Sequence, residues 1–178
     1  MAKRICEVIK IKIPLGTPPY RRTNGEGRWD RQTIKSKSNI FRFVIESEPN
    51  IYLPLRHITK SKGPFRLDPE AEIELYLPDL SSQKEIEEIS IKNKKDFWIL
   101  DVRGMGEGLF VEDDTKNYYG MEYLLAGHAL MFSETLIGKR VLDVLTTINL
   151  FKDEGVKKIH LHGHGQGGII ALIVAILD

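Results

Sequence analysis

The sequence predicts an α/β protein in which a mainly parallel sheet carries helices on both faces and begins with an antiparallel hairpin. Three observations predict this class. Strand-like and helical segments alternate after residue 70, as they do in βαβ units. Residues 97–102 are almost entirely apolar, which is typical of a strand buried on both faces. Residues 41–48 and 51–58 are strand-like and separated only by Pro49 and Asn50, which indicates a hairpin.

The N-terminal 40 residues differ from the rest of the chain. Residues 14–40 contain scattered prolines and glycines without a sustained period, so residues 1–40 are predicted to form a basic irregular arm and residues 41–178 a truncated α/β domain. Residues 1–42 hold eleven Lys or Arg against three acidic residues, although the formal net charge of the whole chain is +1. The arm is either a basic patch for an acidic partner or a solvated extension.

The compartment is predicted from cysteine usage and from the start of the chain. Cys6 is the only cysteine, which excludes an internal disulfide and is compatible with a reducing compartment. Charged residues interrupt the apolar character of the first twelve positions, so no signal peptide is indicated. The most apolar run, residues 169–177, is too short to cross a bilayer. We therefore expect a cytoplasmic protein with no membrane partner, and the ordinary composition does not point to nucleic acid.

The remaining elements follow from their periodicity and end signals. Residues 72–77 alternate and form a third strand. Ser82 and Glu85 have capping-box spacing, which predicts that a helix begins there. After the fourth strand, helices are expected over residues 121–132 and 134–153, the latter capped by Ser133 and ended by Gly155. A fifth strand covers residues 156–162, and the helix over 167–177 is apolar almost all round, so it must be covered on several sides.

A glycine turn, defined as residues 163–168, joins the fifth strand to this apolar helix. In the pattern Gly-x-Ser-x-Gly the central residue occupies a strained strand-to-helix turn, and flanking glycines let the two elements approach closely. Gly165 stands at that central position, so the serine nucleophile is absent. The chain also ends one helix later, before an acid and a histidine could follow in the usual order. We therefore assign no catalytic residue and treat Gly165 as a vacant nucleophile position.

Backbone N–H groups beside this position are candidates for an oxyanion hole. One would come from the loop after the third strand, at Asp79 or Leu80, and the other from Gln166, the residue after the vacant position. The candidate site residues are Gly163, His164, Gly165, Gln166, Gly167, Asp79 and Leu80.

The glycine turn also fits a dinucleotide-binding pattern. Gly163, Gly165 and Gly168 satisfy Gly-x-Gly-x-x-Gly between a strand and a helix, where N–H groups attract an anion. That pattern needs an acidic residue about twenty positions further on, and it normally follows the first strand of its fold. Dinucleotide binding is therefore kept as a minor alternative, and no cofactor is predicted.

Three alternating histidines precede the turn centre. In an extended strand, His160, His162 and His164 project to one face, which raises the possibility of metal binding. Such positions spread ligands along a line rather than around an ion. We therefore predict structural histidines, hydrogen-bonded under the helices, and no metal site.

The loop after the fourth strand is predicted to be structural. Its Asp101-Val102-Arg103-Gly104 core suggests an ion-pair network with a glycine turn that stabilises the loop. Glu107, further along, is expected to be solvated and not catalytic.

Three segments in the same order resemble the bacterial acetylxylan-esterase-like branch of the α/β-hydrolase superfamily. They are Glu46-Ser47-Glu48-Pro49-Asn50-Ile51-Tyr52-Leu53-Pro54, Asp101-Val102-Arg103-Gly104-Met105-Gly106-Glu107 and Gly163-His164-Gly165-Gln166-Gly167-Gly168. The resemblance spans about residues 41–178. It implies a family fold of eight strands in which a serine elbow, a late acid and a late histidine cleave carboxylic esters, often acetyl groups on sugars.

The chain departs from this family pattern at Gly165 and after the helix that follows the fifth strand. We therefore expect an incomplete α/β-hydrolase fold, esterase-like but without serine-esterase activity in this chain alone. The resemblance implies a small ester or an acetylated sugar as ligand. The open edge of the fifth strand suggests the alternative, a non-catalytic binding or assembly module that associates with itself or with a completing chain.

Overall fold

A computed structural model describes residues 1–14, 16–22, 32–33, 38–60, 72–93, 95–109 and 119–178. The helices are α1 (Ala2–Ile9), α2 (Ser82–Lys92), α3 (Met121–Met131), α4 (Leu136–Asp153) and α5 (Gln166–Leu177). The strands are β1 (Tyr20–Arg22), β2 (Gln32–Thr33), β3 (Asn39–Glu48), β4 (Ile51–Thr59), β5 (Glu72–Leu77), β6 (Phe97–Leu100) and β7 (Lys158–Gly163). A short 3₁₀ turn covers Gly106–Gly108.

The strands form one sheet in the order β1-β3-β4-β6-β5-β7, with β2 beside β3. β3 and β4 make the expected antiparallel hairpin, and β4 also pairs antiparallel with β6. β5 pairs parallel with both β6 and β7. The fold-class prediction is confirmed: the parallel strands lie together and the hairpin precedes them.

Apolar side chains cover both faces of the sheet. On one face, β3, β4, β5 and β6 pack against α4 and α5, with Leu75 and Val144 both fully buried. On the other face, a smaller cluster joins Ile86 of α2 to Phe97 and Ile99 of β6. β6 is buried on both faces, as its continuous apolar run predicted.

The described residues include three regular elements, α1, β1 and β2, where an irregular arm was expected. Residues 2–9 form α1, which packs Ile9 into the main core, and the Thr135 hydroxyl donates a hydrogen bond of 2.6 Å to the carbonyl oxygen of Ile9. Residues 20–22 pair antiparallel with β3. The residues that the structure describes in this region therefore include regular structure, and the division of the chain at residue 40 stays a prediction.

Two predicted helix caps are wrong. Ser81, not Ser82, is the N-terminal flanking residue of α2, and the Ser82 backbone N–H donates to Asp101 instead of forming a capping box. α4 begins after Thr135, whose hydroxyl oxygen accepts from the Gly138 N–H, and Ser133 lies in the preceding turn. Gly155 has the positive φ expected after the end of α4. None of the described helices is long and apolar enough to span a membrane.

Candidate functional site

The glycine turn forms a tight bend at the carboxyl end of β7. The His164 N–H donates to the Leu77 carbonyl at 3.0 Å, which extends the β5–β7 pairing by one residue. Gly165 then has φ 53° and ψ −120°, a combination outside the regions that L-residues favour, and α5 begins at Gln166. This bend lies where the sequence placed a strand-to-helix turn, and it leads into a helix whose Gly167, Ile170 and Val174 are buried.

Glycines on either side of the bend allow close backbone approach. A Cβ atom at Gly163 would overlap backbone atoms of Gly167 and Gly168, and one at Gly167 would overlap the Leu77 and Pro78 carbonyl groups. The first turn of α5 therefore sits directly on the ends of β5 and β7. This is the close approach of strand and helix that the glycine pattern predicted.

The loop after β5 contacts the turn through Asp79. Asp79 Oδ1 accepts a hydrogen bond of 2.8 Å from the Gln166 N–H. The Asp79 N–H donates to Glu85 Oε1, also at 2.8 Å. The structure thus brings both predicted donor positions together at one edge of the sheet, and each of these two N–H groups donates to a carboxylate of the same chain.

Leu80, the other candidate in that loop, contacts the loop after β6 through its carbonyl group. Its side chain is 52% exposed, and its carbonyl oxygen accepts from the Gly106 N–H at 2.9 Å. Leu80 therefore connects the loop after β5 to the loop after β6.

Arg140 holds the Gln166 side chain and was not anticipated from the sequence. The buried Arg140 guanidinium donates from Nη1 to Gln166 Oε1 at 2.9 Å and from Nε to the Arg103 carbonyl at 3.1 Å. It also forms an ion pair of 2.6 Å with Glu122 of α3. Nothing in the sequence distinguishes Arg140 from the other charged residues of α4. Arg140 therefore links the glycine turn to the loop after β6.

The three histidines lie at the surface beside glutamates, not under helices as predicted. His162 Nε2 lies 2.5 Å from Glu74 Oε2 and His160 Nε2 lies 3.3 Å from Glu72 Oε2, both across the β5–β7 pair. His164 Nδ1 lies 3.2 Å from Glu85 Oε2. Hydrogen bonding to His160 and the charge of Lys158 lower the pKa of Glu72. Burial opposes ionisation of Glu74, but the hydrogen bond and charge of His162, together with the charges of His160 and Lys95, outweigh burial and lower the pKa of Glu74.

Only part of this group of histidines and glutamates borders an open cleft between α2 and β7, which has a volume of about 530 Å³. His162 and His164 line it together with Tyr76, whose ring stacks on His162 at a centroid distance of 4.4 Å. Across the described residues, no group of three or more His, Cys, Asp or Glu side chains could hold a metal ion. The cleft is therefore lined by His162 and by the pair of His164 with Glu85.

The loop after β6 contains the predicted ionic network, with partners from other elements. Asp101 pairs with the buried Arg56 at 3.0 Å and accepts from the Ser82 N–H at 2.8 Å. Arg103 pairs with the buried Asp143 of α4. Glu107, expected to be solvated, pairs with Arg56 at 2.6 Å. Burial opposes ionisation of Glu107, but the charge and hydrogen bond of Arg56, the hydrogen bond of Gln83 and the charge of Arg42 together outweigh burial and lower the pKa of Glu107. The network fixes the loop to both faces of the sheet.

Comparison with solved structures places the fold among acetyl xylan esterases. A proposed acetyl xylan esterase from Bacteroides fragilis NCTC 9343 matches with a TM-score of 0.69 and 12% identity, over 99% of this chain and 49% of that chain. The enzyme from Paenibacillus sp. R4 matches with a TM-score of 0.60 and 18% identity, over 99% and 53%. Acetyl xylan esterase 1 from Thermoanaerobacterium sp. JW/SL YS485 matches with a TM-score of 0.54 and 13% identity, over 98% and 52%.

These similarities establish the fold, and the chain spans about half the length of the structures it matches. No protein-family model matches the sequence. No curated protein sequence matches it either.

Proposed function

We propose that this chain is an esterase-like α/β-hydrolase domain without serine-esterase activity at the glycine turn. The observation that carries the proposal is the position of Gly165, which occupies the strained bend between β7 and α5 with a φ of 53° and has no side chain to act as nucleophile. The fold shared with acetyl xylan esterases supports the superfamily assignment. The Gln166 N–H at the start of α5 supports the comparison with an oxyanion hole.

The chemical consequence is loss of the acyl-enzyme route. In serine hydrolases, removing the nucleophile lowers the rate by several orders of magnitude, and the remaining rate rests on oxyanion donors and binding. A small ester or an acetylated sugar is the ligand class that the resemblance implies. Such a ligand would not be cleaved through an acyl-enzyme at the glycine turn.

Ester hydrolysis and covalent labelling of the purified chain test this proposal. We expect p-nitrophenyl acetate to be hydrolysed at the buffer rate, and a fluorophosphonate to label no residue, because no activated serine lies in the turn. A serine esterase assayed in parallel shows that both assays work. Gly165→Ser, analysed by mass spectrometry, shows whether a hydroxyl placed in the bend becomes reactive. Robust turnover by the wild-type chain would contradict the proposal.

Assembly is the second candidate function, favoured by the surface beside β7. Along α5, Ile169, Leu172 and Ile176 are 59%, 67% and 41% exposed and form one stripe at helical spacing. β7 is the last strand of the described sheet order, so its outer edge has no strand partner among the described residues. A chain that extends the sheet at β7 and covers this stripe would bury both features.

Concentration-dependent light scattering tests the assembly candidate. Self-association should increase with concentration in the wild type and should be weakened by Leu172→Glu, because a charge then enters the apolar stripe. Tyr52→Glu is the matched control, since Tyr52 is 59% exposed on β4, away from β7. A monomer at every concentration would count against self-association, and equal weakening by both variants would exclude α5 as the interface.

The dinucleotide alternative gains no support from the geometry of the turn. The Gln166 N–H, which would face a pyrophosphate, already donates to Asp79. Titration with NAD or FAD should therefore show no binding.

A further inference from the structure

Asp79 places a negative charge at the start of α5. The N–H groups in the first turn of a helix lack partners within the helix, and the helix dipole favours an anion there. In this chain Asp79 Oδ1 accepts from the Gln166 N–H at 2.8 Å. In a hydrolase elbow, the N–H of the residue after the nucleophile stabilises the oxyanion that develops on the substrate. An aspartate carboxylate therefore stands where that oxyanion would bind.

Glu85 accepts the hydrogen bond of the second candidate donor, the Asp79 N–H. The Asp79 N–H comes from the loop in which hydrolases place the other oxyanion donor, and it donates to Glu85 Oε1 at 2.8 Å. The other carboxylate oxygen of Glu85, Oε2, lies 3.2 Å from His164 Nδ1. Both donors are thus bound to internal carboxylates, and the two carboxylates are held by residues that flank Gly165.

The Asp79 carboxylate also fills the space that a side chain at position 165 would need. A Cβ atom built on Gly165 would overlap the Asp79 carboxylate and lie 2.8 Å from Asp79 Cβ. Such contacts are shorter than real Cβ atoms show, so Asp79 would have to move. Glycine at 165 and the carboxylate at 79 are therefore compatible with each other, whereas serine at 165 and this carboxylate position are not.

We propose that Asp79 is an internal oxyanion that closes the site: it saturates the Gln166 N–H and excludes both a nucleophile at position 165 and the oxygen of a bound ester. The inference rests on the proposed function, because it treats the Gln166 N–H as an oxyanion donor. It adds that restoring a serine is insufficient to open the site. Opening also requires removal of the Asp79 carboxylate.

A double-mutant cycle measures the steric part of this proposal. Gly165→Ala should raise the unfolding equilibrium constant about tenfold more in the wild type than in the Asp79→Ala background, a coupling within the range for residues in contact. Gly163→Ala is the control, because a Cβ atom there meets the backbone of α5 and not Asp79. Its cost should be the same in both backgrounds. Additive effects of Asp79→Ala and Gly165→Ala would overturn the proposal.

Acetate binding measures the electrostatic part and does not depend on a substitution at Gly165. In ¹⁵N spectra at constant ionic strength, acetate replacing chloride should shift the Gln166 amide of Asp79→Ala saturably. Acetate should leave the Gln166 amide shift unchanged in the wild type. It should also leave that shift unchanged in Asp79→Asn, because the asparagine amide oxygen can still accept the Gln166 hydrogen bond. Equal shifts in all three proteins, or no shift in a folded Asp79→Ala, would overturn the proposal. Esterase turnover by the wild type would remove the proposed function, whereas an additive cycle would remove only the internal oxyanion.

Discussion

Asp79 and Gln166 lie 87 positions apart in sequence, and a hydrogen bond of 2.8 Å joins the carboxylate of the first to the backbone N–H of the second. The contact arises because β5 and β7 are adjacent and parallel, so the segments that follow their carboxyl ends meet at one edge of the sheet. It fixes the start of α5 to the loop before α2. Asp79 therefore serves as the cap of a helix to which it does not belong.

Replacing Asp79 with alanine should destabilise the protein and loosen the first turn of α5. The Gln166 N–H would lose a charged acceptor, a loss worth about 1–2 kcal/mol in the free energy of unfolding. Urea denaturation and amide exchange at Gln166 provide the measurements. Thr135→Ala is the matched control, because it removes the cap of α4 at a similar cost and should leave exchange at Gln166 unchanged. Unchanged exchange in Asp79→Ala would show that the cap contributes nothing.

Replacing Asp101 with asparagine should be among the most destabilising single changes. Arg56 is 2% exposed and would keep a buried charge without its closest fully buried partner. Removing one member of a buried pair costs about 3–5 kcal/mol in the free energy of unfolding. Because Glu107 also contacts Arg56, we expect a loss of about 3 kcal/mol. Lys92→Ala breaks an exposed pair with Glu88 and should cost far less, because solvent screens such pairs. Similar losses in both variants by urea denaturation would show that burial does not make the Arg56–Asp101 pair the more costly one to break.

Gly106→Ala and Gly120→Ala should separate backbone strain from steric overlap. Both glycines have positive φ, 54° and 85°, a backbone conformation that costs an L-residue about 1–3 kcal/mol. A Cβ atom at Gly120 would meet nothing within 4 Å, whereas one at Gly106 would overlap the carboxylate of the fixed Asp101. Thermal unfolding should therefore show a larger loss for Gly106→Ala, by about 1–3 kcal/mol. Equal losses would mean that the Asp101 carboxylate shifts without cost.

The sequence was sufficient to predict elements whose signals are local. The alternation over Glu72–Leu77 and the apolar run at Phe97–Leu100 predicted β5 and β6, and both strands form. Glycines at 163, 165 and 167 predicted the tight turn before α5 because close approach and positive φ are properties of single positions.

Contacts between distant elements could not be predicted from such signals. Ser82 and Glu85 have capping-box spacing, yet the loop after β6 brings Asp101 to the Ser82 N–H, and Glu85 accepts from Asp79 instead. Arg140 is one of five charged residues on α4, and its role depends on Gln166 and Arg103 being brought to it by the fold. The short α1 carries a helical period at Ile5 and Ile9, but its packing against the start of α4 is a contact between distant parts of the chain.

Stability should fall as the pH decreases because of His57. Its ring stacks between Phe41 and Trp98, at centroid distances of 6.3 and 4.5 Å, and burial lowers the pKa of His57 to about 4 despite the nearby charge of Asp96. The unfolded chain takes up this proton below about pH 6.5, whereas the folded protein does so only near pH 4, so the unfolded state binds more protons between these values.

The free energy of unfolding should therefore be unaffected by His57 above about pH 6.5, decrease by about 2 kcal/mol at about pH 5 and by about 3 kcal/mol at about pH 4. Urea denaturation across this range measures the slope. His57→Gln removes the titrating group. This variant should be less stable at neutral pH, but its free energy of unfolding should change less between about pH 6.5 and 5. Groups such as Glu107, whose carboxyl pKa is lowered, take effect below this window. An unchanged slope in His57→Gln would assign the pH dependence to other groups.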